Sequence, residues 1–143
     1  MGAQTSSWLF WALLSAFFAG ITAILAKIGI SGVDSNLATA VRTTVVLLFT
    51  WGIACATAGV APLGAFTRRT WLFLILSGLA TGLSWLCYFR ALQLGQASRV
   101  APVDKLSVAF AIFLAVVFLH ERLTWQQYAG GALIVAGAVI LAL

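Results

Sequence analysis

Apolar and polar residues fall in long blocks along this chain. Five apolar runs stand out: Trp8 to about Ile28, Leu37 to about Ala58, Trp71 to Leu92, Val100 to Leu119 and Trp125 to Leu143. Each is close to the roughly 20 residues needed to cross a hydrocarbon core about 30 Å thick. Backbone amides in lipid must be paired internally, so the runs predict helices. A membrane β-barrel would alternate polar and apolar residues; Trp71-Leu72-Phe73-Leu74-Ile75-Leu76 does not. The expected fold class is an all-α membrane protein with five transmembrane helices, forming one domain over residues 1–143.

The connections support this division. Ile30-Ser31-Gly32-Val33-Asp34-Ser35-Asn36 reads as a turn, with Asn36 the candidate N-cap of the second helix. Residues 59–70 hold Pro62, Gly64 and Arg68-Arg69, and Gly95-Gln96-Ala97-Ser98 parts the third and fourth helices. His120-Glu121-Arg122-Leu123-Thr124 precedes the fifth, with Thr124 as its cap. Trp8, Trp11, Trp71 and Trp125 stand at span starts, where indoles favour the headgroup level. Small residues recur every fourth position at Ala12, Ala16 and Gly20, at Gly78 and Gly82, and at Ala132 and Ala136, a spacing that suits close helix packing.

Composition narrows the class further. Of 143 residues, 63% are apolar and 8% charged, and mean hydropathy is +1.10. Soluble domains carry roughly 45–50% apolar and about 25% charged residues. A soluble enzyme, a disordered chain, a coiled coil and a disulfide-rich secreted domain are therefore excluded. The net charge of +5 comes from dispersed residues and forms no basic stripe, so nucleic acid is not an expected partner. Cys55 and Cys87 lie within apolar runs and are expected buried and reduced. The first run lacks a basic leader segment and is too long for a signal peptide. The Met1–Ser6 myristoylation pattern reads as coincidence in a chain with several spans.

No Walker loop, HExxH or CxxC occurs, and the single His120 has no partners for a triad or metal set. No enzyme activity, metal, cofactor or ATP use is expected of this chain. The remaining chemistry lies in charges near the membrane. Lys27 and Arg90 fall in last helical turns, where a cation reaches the headgroups. Arg42 lies five residues past Leu37 and Lys105 five past Val100, each near a positive helix end. Both are therefore candidates for lining a polar cavity. Asp104 reads as a carboxylate in a first helical turn after Pro102. As sequence neighbours, Asp104 and Lys105 point roughly 100° apart on a helix, so the partner of Asp104 is expected from Arg42 or Arg90. Trp85 and Tyr88, three apart, share a face and can supply an aromatic wall. Lys27, Arg42, Arg90 and Lys105 against Asp104 give a positive surplus, which favours an anionic or carboxylate-bearing solute.

Orientation by loop charge is nearly tied. With the N-terminus cytoplasmic, Arg68, Arg69 and Arg122 lie inside; Lys27, Arg42, Arg90 and Arg99 lie outside, with Lys105 a fifth. This balance suggests dual topology, in which copies insert both ways and pair antiparallel. Five spans place the termini on opposite faces, so such a pair would form an inverted repeat.

Tyr88 to Pro102, Leu119-His120-Glu121-Arg122-Leu123-Thr124 and Gly130 to Gly137 together resemble EamA-type transporters of the drug/metabolite transporter superfamily. The first resembles that family's third-to-fourth helix junction, the second its glutamate-arginine turn, the third its closing glycine-rich helix. Most members have ten helices in two inverted halves. This chain is similar to one half, the short bacterial and archaeal type. The resemblance implies an antiparallel homodimer in the inner (plasma) membrane that moves a small organic solute by alternating access. It makes Arg42, Trp85, Arg90 and Lys105 pathway candidates, beside Tyr88 and Asp104 from the residues themselves. His120 departs from the glycine usual before the Glu-Arg pair. The first helix also lacks the membrane acid of the related small multidrug-resistance proteins, which argues against proton-coupled export of cations. The alternatives are a non-transporting assembly subunit or scaffold, or half of a heteromeric lipid-carrier flippase.

Overall fold

The computed structural model describes the backbone of residues 2–57 and 61–143, and the side chains of residues 8–57 and 63–143. Side chains of the myristoylation pattern, and Pro62, lie outside the described residues. The helices are α1 (Gly2–Gly29), α2 (Ser35–Thr57), α3 (Arg68–Leu94), α4 (Ala97–Asp104), α5 (Ser107–Leu119) and α6 (Trp125–Ala142), with a 3₁₀ turn at Ala61–Ala65. Among the described residues there is no strand, so the all-α class holds. Five stretches are long and apolar enough to span a membrane: Trp8–Gly29, Ser35–Thr57, Arg68–Leu94, Ala97–Leu119 and Trp125–Ala142.

Polar caps carry several helices past their apolar runs. Asp34, not Asn36, caps α2: its Oδ1 accepts the Asn36 and Leu37 amides at 2.9 and 3.0 Å. Thr67 starts α3 early by accepting the Thr70 amide at 3.1 Å. Thr124 starts α6 as expected; its N–H donates to Gln127 Oε1 at 2.7 Å in a capping box. His120 ends α5 in the left-handed region, φ 54° and ψ 32°. The Ala115 carbonyl there accepts the Glu121 amide at 3.3 Å, so this histidine occupies a backbone position that favours glycine.

The expected fourth helix is divided. Pro102 lies inside α4, which ends two residues later at Asp104. Beyond it the bonds tighten to three-residue spacing: Lys105 to Pro102, Leu106 to Val103, Val108 to Lys105 and Ala109 to Leu106, all at 3.0 Å. Asp104 thus ends a helix instead of opening one.

Threonines inside the spans satisfy their hydroxyls locally. Thr39 donates to the Ser35 carbonyl at 2.7 Å, Thr43 to Thr39 at 2.7 Å and Thr81 to Ser77 at 2.9 Å. These bonds spare a hydroxyl the cost of sitting unpaired in hydrocarbon.

The chain divides into two units: residues 1–27 with 94–143, and residues 28–93. In the first, Lys27 Nζ donates to the Gly95 carbonyl at 2.8 Å. There α6 also packs against α5, where a Cβ on Gly131 would stand 3.2 Å from Ile112 Cδ1. In the second, Ile30, Ser35, Thr39, Phe89 and Leu92 are buried. Cys55 and Cys87 are free, but both are exposed on the single chain, which corrects their expected burial. Nothing forces an apolar helix face inward when lipid tails are as apolar as leucine.

Candidate functional site

Arg42 lies on α2 seven residues past Ser35, about 10 Å along the helix at 1.5 Å per residue. Helix dipole effects fade within the first turn. What holds this cation is an aromatic platform from α3. Its guanidinium carbon lies 4.3 Å from the centre of the Trp85 ring and 5.5 Å from that of Phe89. A cation over a ring within about 6 Å is attracted by the ring quadrupole, more strongly where water is reduced. Arg42 and Trp85 are half-buried, and Phe89 is buried at 3% exposure. Among the described residues no hydrogen bond or ion pair reaches the Arg42 guanidinium.

The platform follows from spacing on α3. Trp85, Phe89 and Leu92 recur at i, i+4 and i+7, so one helical face carries all three. Tyr88 adjoins them: its ring meets Phe89 edge-on at 6.5 Å, and it lies within electrostatic reach of Arg42. The structure thus brings Arg42 against Trp85 and Phe89, with Tyr88 beside Phe89. Phe89 is the member that sequence reasoning missed, and its four-residue spacing from Trp85 was the available signal.

Arg90 takes another route. It is exposed, and Nη1 donates to Gln93 Oε1 at 3.1 Å; Gln93 in turn donates to the Val33 carbonyl. This pair ties the end of α3 to the turn before α2.

Asp104 and Lys105 belong to the other unit and pair with each other. Lys105 Nζ lies 3.4 Å from Asp104 Oδ2, with side-chain exposures of 56% and 36%. The expectation that these two neighbours point apart and do not pair is corrected. It assumed a continuous helix. Because α4 ends at Asp104, the flexible lysine stem can fold back to the carboxylate. Lys105, as the residue capping α4, also places its charge at a negative helix end instead of the positive one.

A recess of about 490 Å³ lies between α5 and α6. It is lined by Ile112, Ala115, Glu121, Gln127 and Gly131 among others, and by none of the six expected site residues. Among the described residues, no group of three or more His, Cys, Asp or Glu is placed to hold a metal ion.

Residues 6–143 match the model of the EamA-like transporter family. A Sinorhizobium protein named an uncharacterized transporter in the cobO 3′ region is 51% identical over 139 residues, covering 97% of this chain and 99% of that protein. A probable terminal-alkyne amino-acid exporter of Streptantibioticus cattleyicolor is 40% identical over 67 residues, which are 44% of this chain and 22% of the exporter. A Methanocaldococcus jannaschii protein is 32% identical over 71 residues, about half of each chain (50% and 52%). No solved structure matches significantly.

Proposed function

The chain belongs to the EamA-like transporter family, and on that footing we propose that it moves an anionic or zwitterionic metabolite across the inner membrane. It does so by alternating access, as an antiparallel homodimer. One observation carries the choice of solute. Arg42 sits well inside a span on an aromatic platform, with no carboxylate on its guanidinium among the described residues. A charge at that depth is costly to maintain, so it marks a solute path by default. The name of the Streptantibioticus relative, an amino-acid exporter, is in keeping with a solute that carries a carboxylate.

The homodimer is supported by faces left open on the single chain. A Cβ added at Gly20, Gly78 or Gly82 would meet nothing within 4 Å. Small-residue faces of this kind let helices of a second copy approach closely. The near-even charge of the two sides is what dual insertion requires.

Counterflow in proteoliposomes, run with a panel of labelled amino and organic acids, tests the reading. Uptake above protein-free vesicles that falls in Arg42→Ala is expected. Unchanged uptake in Arg42→Ala would remove Arg42 from the path. A reporter fused after Leu143 should be active on both sides of the membrane; activity on one side alone rejects dual topology.

A further inference from the structure

The first residues of α3 carry positive charge that their surroundings in the chain do not balance. Arg68 and Arg69 open the helix and are exposed, with no acidic residue in its first turn. Residues 35–103 contain no Asp or Glu. Asp34 stands before α2, whose 23 residues extend about 34 Å, and the arginines follow the far end of that helix. In physiological salt, exposed charges are screened over about 8 Å, so Asp34 does not offset them. The remaining acids belong to the other unit, where Asp104 pairs with Lys105 and Glu121 is directly followed by Arg122.

Exposed rings stand beside this charge. Phe66 and Trp71 meet edge-on with ring centres 5.7 Å apart. The Arg69 guanidinium carbon lies 5.8 Å from the centre of the Phe73 ring, one turn further along α3. An indole favours the headgroup level of a membrane, and an arginine stem lies along apolar surface while its charge stays in water. Cations and exposed rings thus share one end of a helix long and apolar enough to span the bilayer.

We propose that this end of α3 docks on anionic phospholipid, with Arg68 and Arg69 at the headgroup phosphate and Phe66 and Trp71 between headgroups and acyl chains. Arginine suits phosphate because its fork of N–H donors pairs with two oxygens. A free phosphate ion would balance the charge but leave the rings uncovered, so a lipid is the occupant this surface fits. Phosphatidylcholine also carries a phosphate, but its ammonium leaves no net charge to attract two cations. The proposal is independent of the transport reading, because it concerns the surrounding lipid and no residue at Arg42.

The test uses the full chain in a neutral detergent. The probes are phosphatidylglycerol and phosphatidylcholine with identical palmitoyl and oleoyl chains, so they differ only in the headgroup. Binding is read by thermal shift, because a ligand that binds the folded state raises apparent stability. Phosphatidylglycerol should half-saturate at a concentration about tenfold or more below phosphatidylcholine, the scale of two cations near an anionic surface. Raising the salt concentration should shrink that preference. The double variant Arg68→Gln with Arg69→Gln should lose most of it, and Arg68→Lys with Arg69→Lys should keep much of it, because the charge remains. Trp71→Leu should weaken the binding of both lipids and leave their ratio in place. Inorganic phosphate at matched ionic strength should give no comparable shift.

The preference compares two lipids on one protein, so a general loss of stability does not move it. If the double glutamine variant does not fold, Arg68→Gln and Arg69→Gln carry the test singly, each lowering the preference about threefold. Equal half-saturation by both lipids, or an undiminished preference in the glutamine variants, would overturn the assignment. A shift with inorganic phosphate as large as that with phosphatidylglycerol would give the arginines to a free anion and reject lipid docking.

Discussion

The Lys27 ammonium donates to the Gly95 carbonyl at 2.8 Å, across 68 positions of sequence. The bond ties the last turn of α1 to the residue that follows α3. Lys27 is part-buried and Gly95 lies beyond a helix end, where carbonyls lack helical partners. Lys27→Met should lower stability by about 2 kcal/mol, the range for a hydrogen bond to a charged group. Lys27→Arg should restore part of it. Thermal unfolding in detergent measures both; an unchanged melting temperature in Lys27→Met would reduce this contact to a headgroup anchor.

His120 sits at φ 54° at the end of α5. A side chain in the left-handed region costs roughly 1–2 kcal/mol relative to the right-handed form, and glycine avoids most of that. His120→Gly should therefore raise stability by about 1 kcal/mol. The gain should leave flux unaltered, because His120 is not among the residues at Arg42. A loss of stability would mean that the imidazole makes a contact outweighing the backbone strain.

Gly130 and Gly131 are neighbours on α6 with different surroundings. A Cβ at Gly130 meets nothing within 4 Å, while one at Gly131 would stand 3.2 Å from Ile112 Cδ1. Alanine in a helix gains up to about 1 kcal/mol over glycine. Gly130→Ala should stabilise the monomer. Gly131→Ala should gain less, because the Ile112 tip must give way, and Gly131→Leu should destabilise. If a second copy packs on Gly130, the stabilised variant will instead dimerise poorly, which light scattering would reveal.

The spans were legible because the bilayer imposes a simple rule: uninterrupted apolar length and internally paired amides. Their ends were less so. Asp34 and Thr67 extend helices into polar sequence, and a run of hydropathy carries no record of a cap. Arg42 and Trp85 stand out in the sequence singly, and nothing in it pairs them. Arg42 was placed against its helix dipole, whereas a ring on another helix holds it. That partner depends on tertiary packing, although the 85-89-92 spacing pointed to the face. The Asp104–Lys105 contact was missed because it depends on where α4 stops, and a proline in the interior of a helix does not by itself say on which turn the break falls.

That contact supports a last prediction. Asp104 and Lys105 are only partly covered, with exposures of 36% and 56%. An exposed ion pair contributes little to stability, so Asp104→Asn and Lys105→Gln should each leave the melting temperature nearly unchanged. Their effect on flux is where the alternatives separate. If the pair faces lipid, removing both charges removes a desolvation cost, and the double variant should be more stable with normal counterflow. If it faces the solute path, each single variant should slow counterflow. The double variant should then be less impaired than the sum of the two, since residues in contact are not additive. The second outcome is the one expected, because two charges about a third of the way along a span are retained more readily beside water than beside lipid.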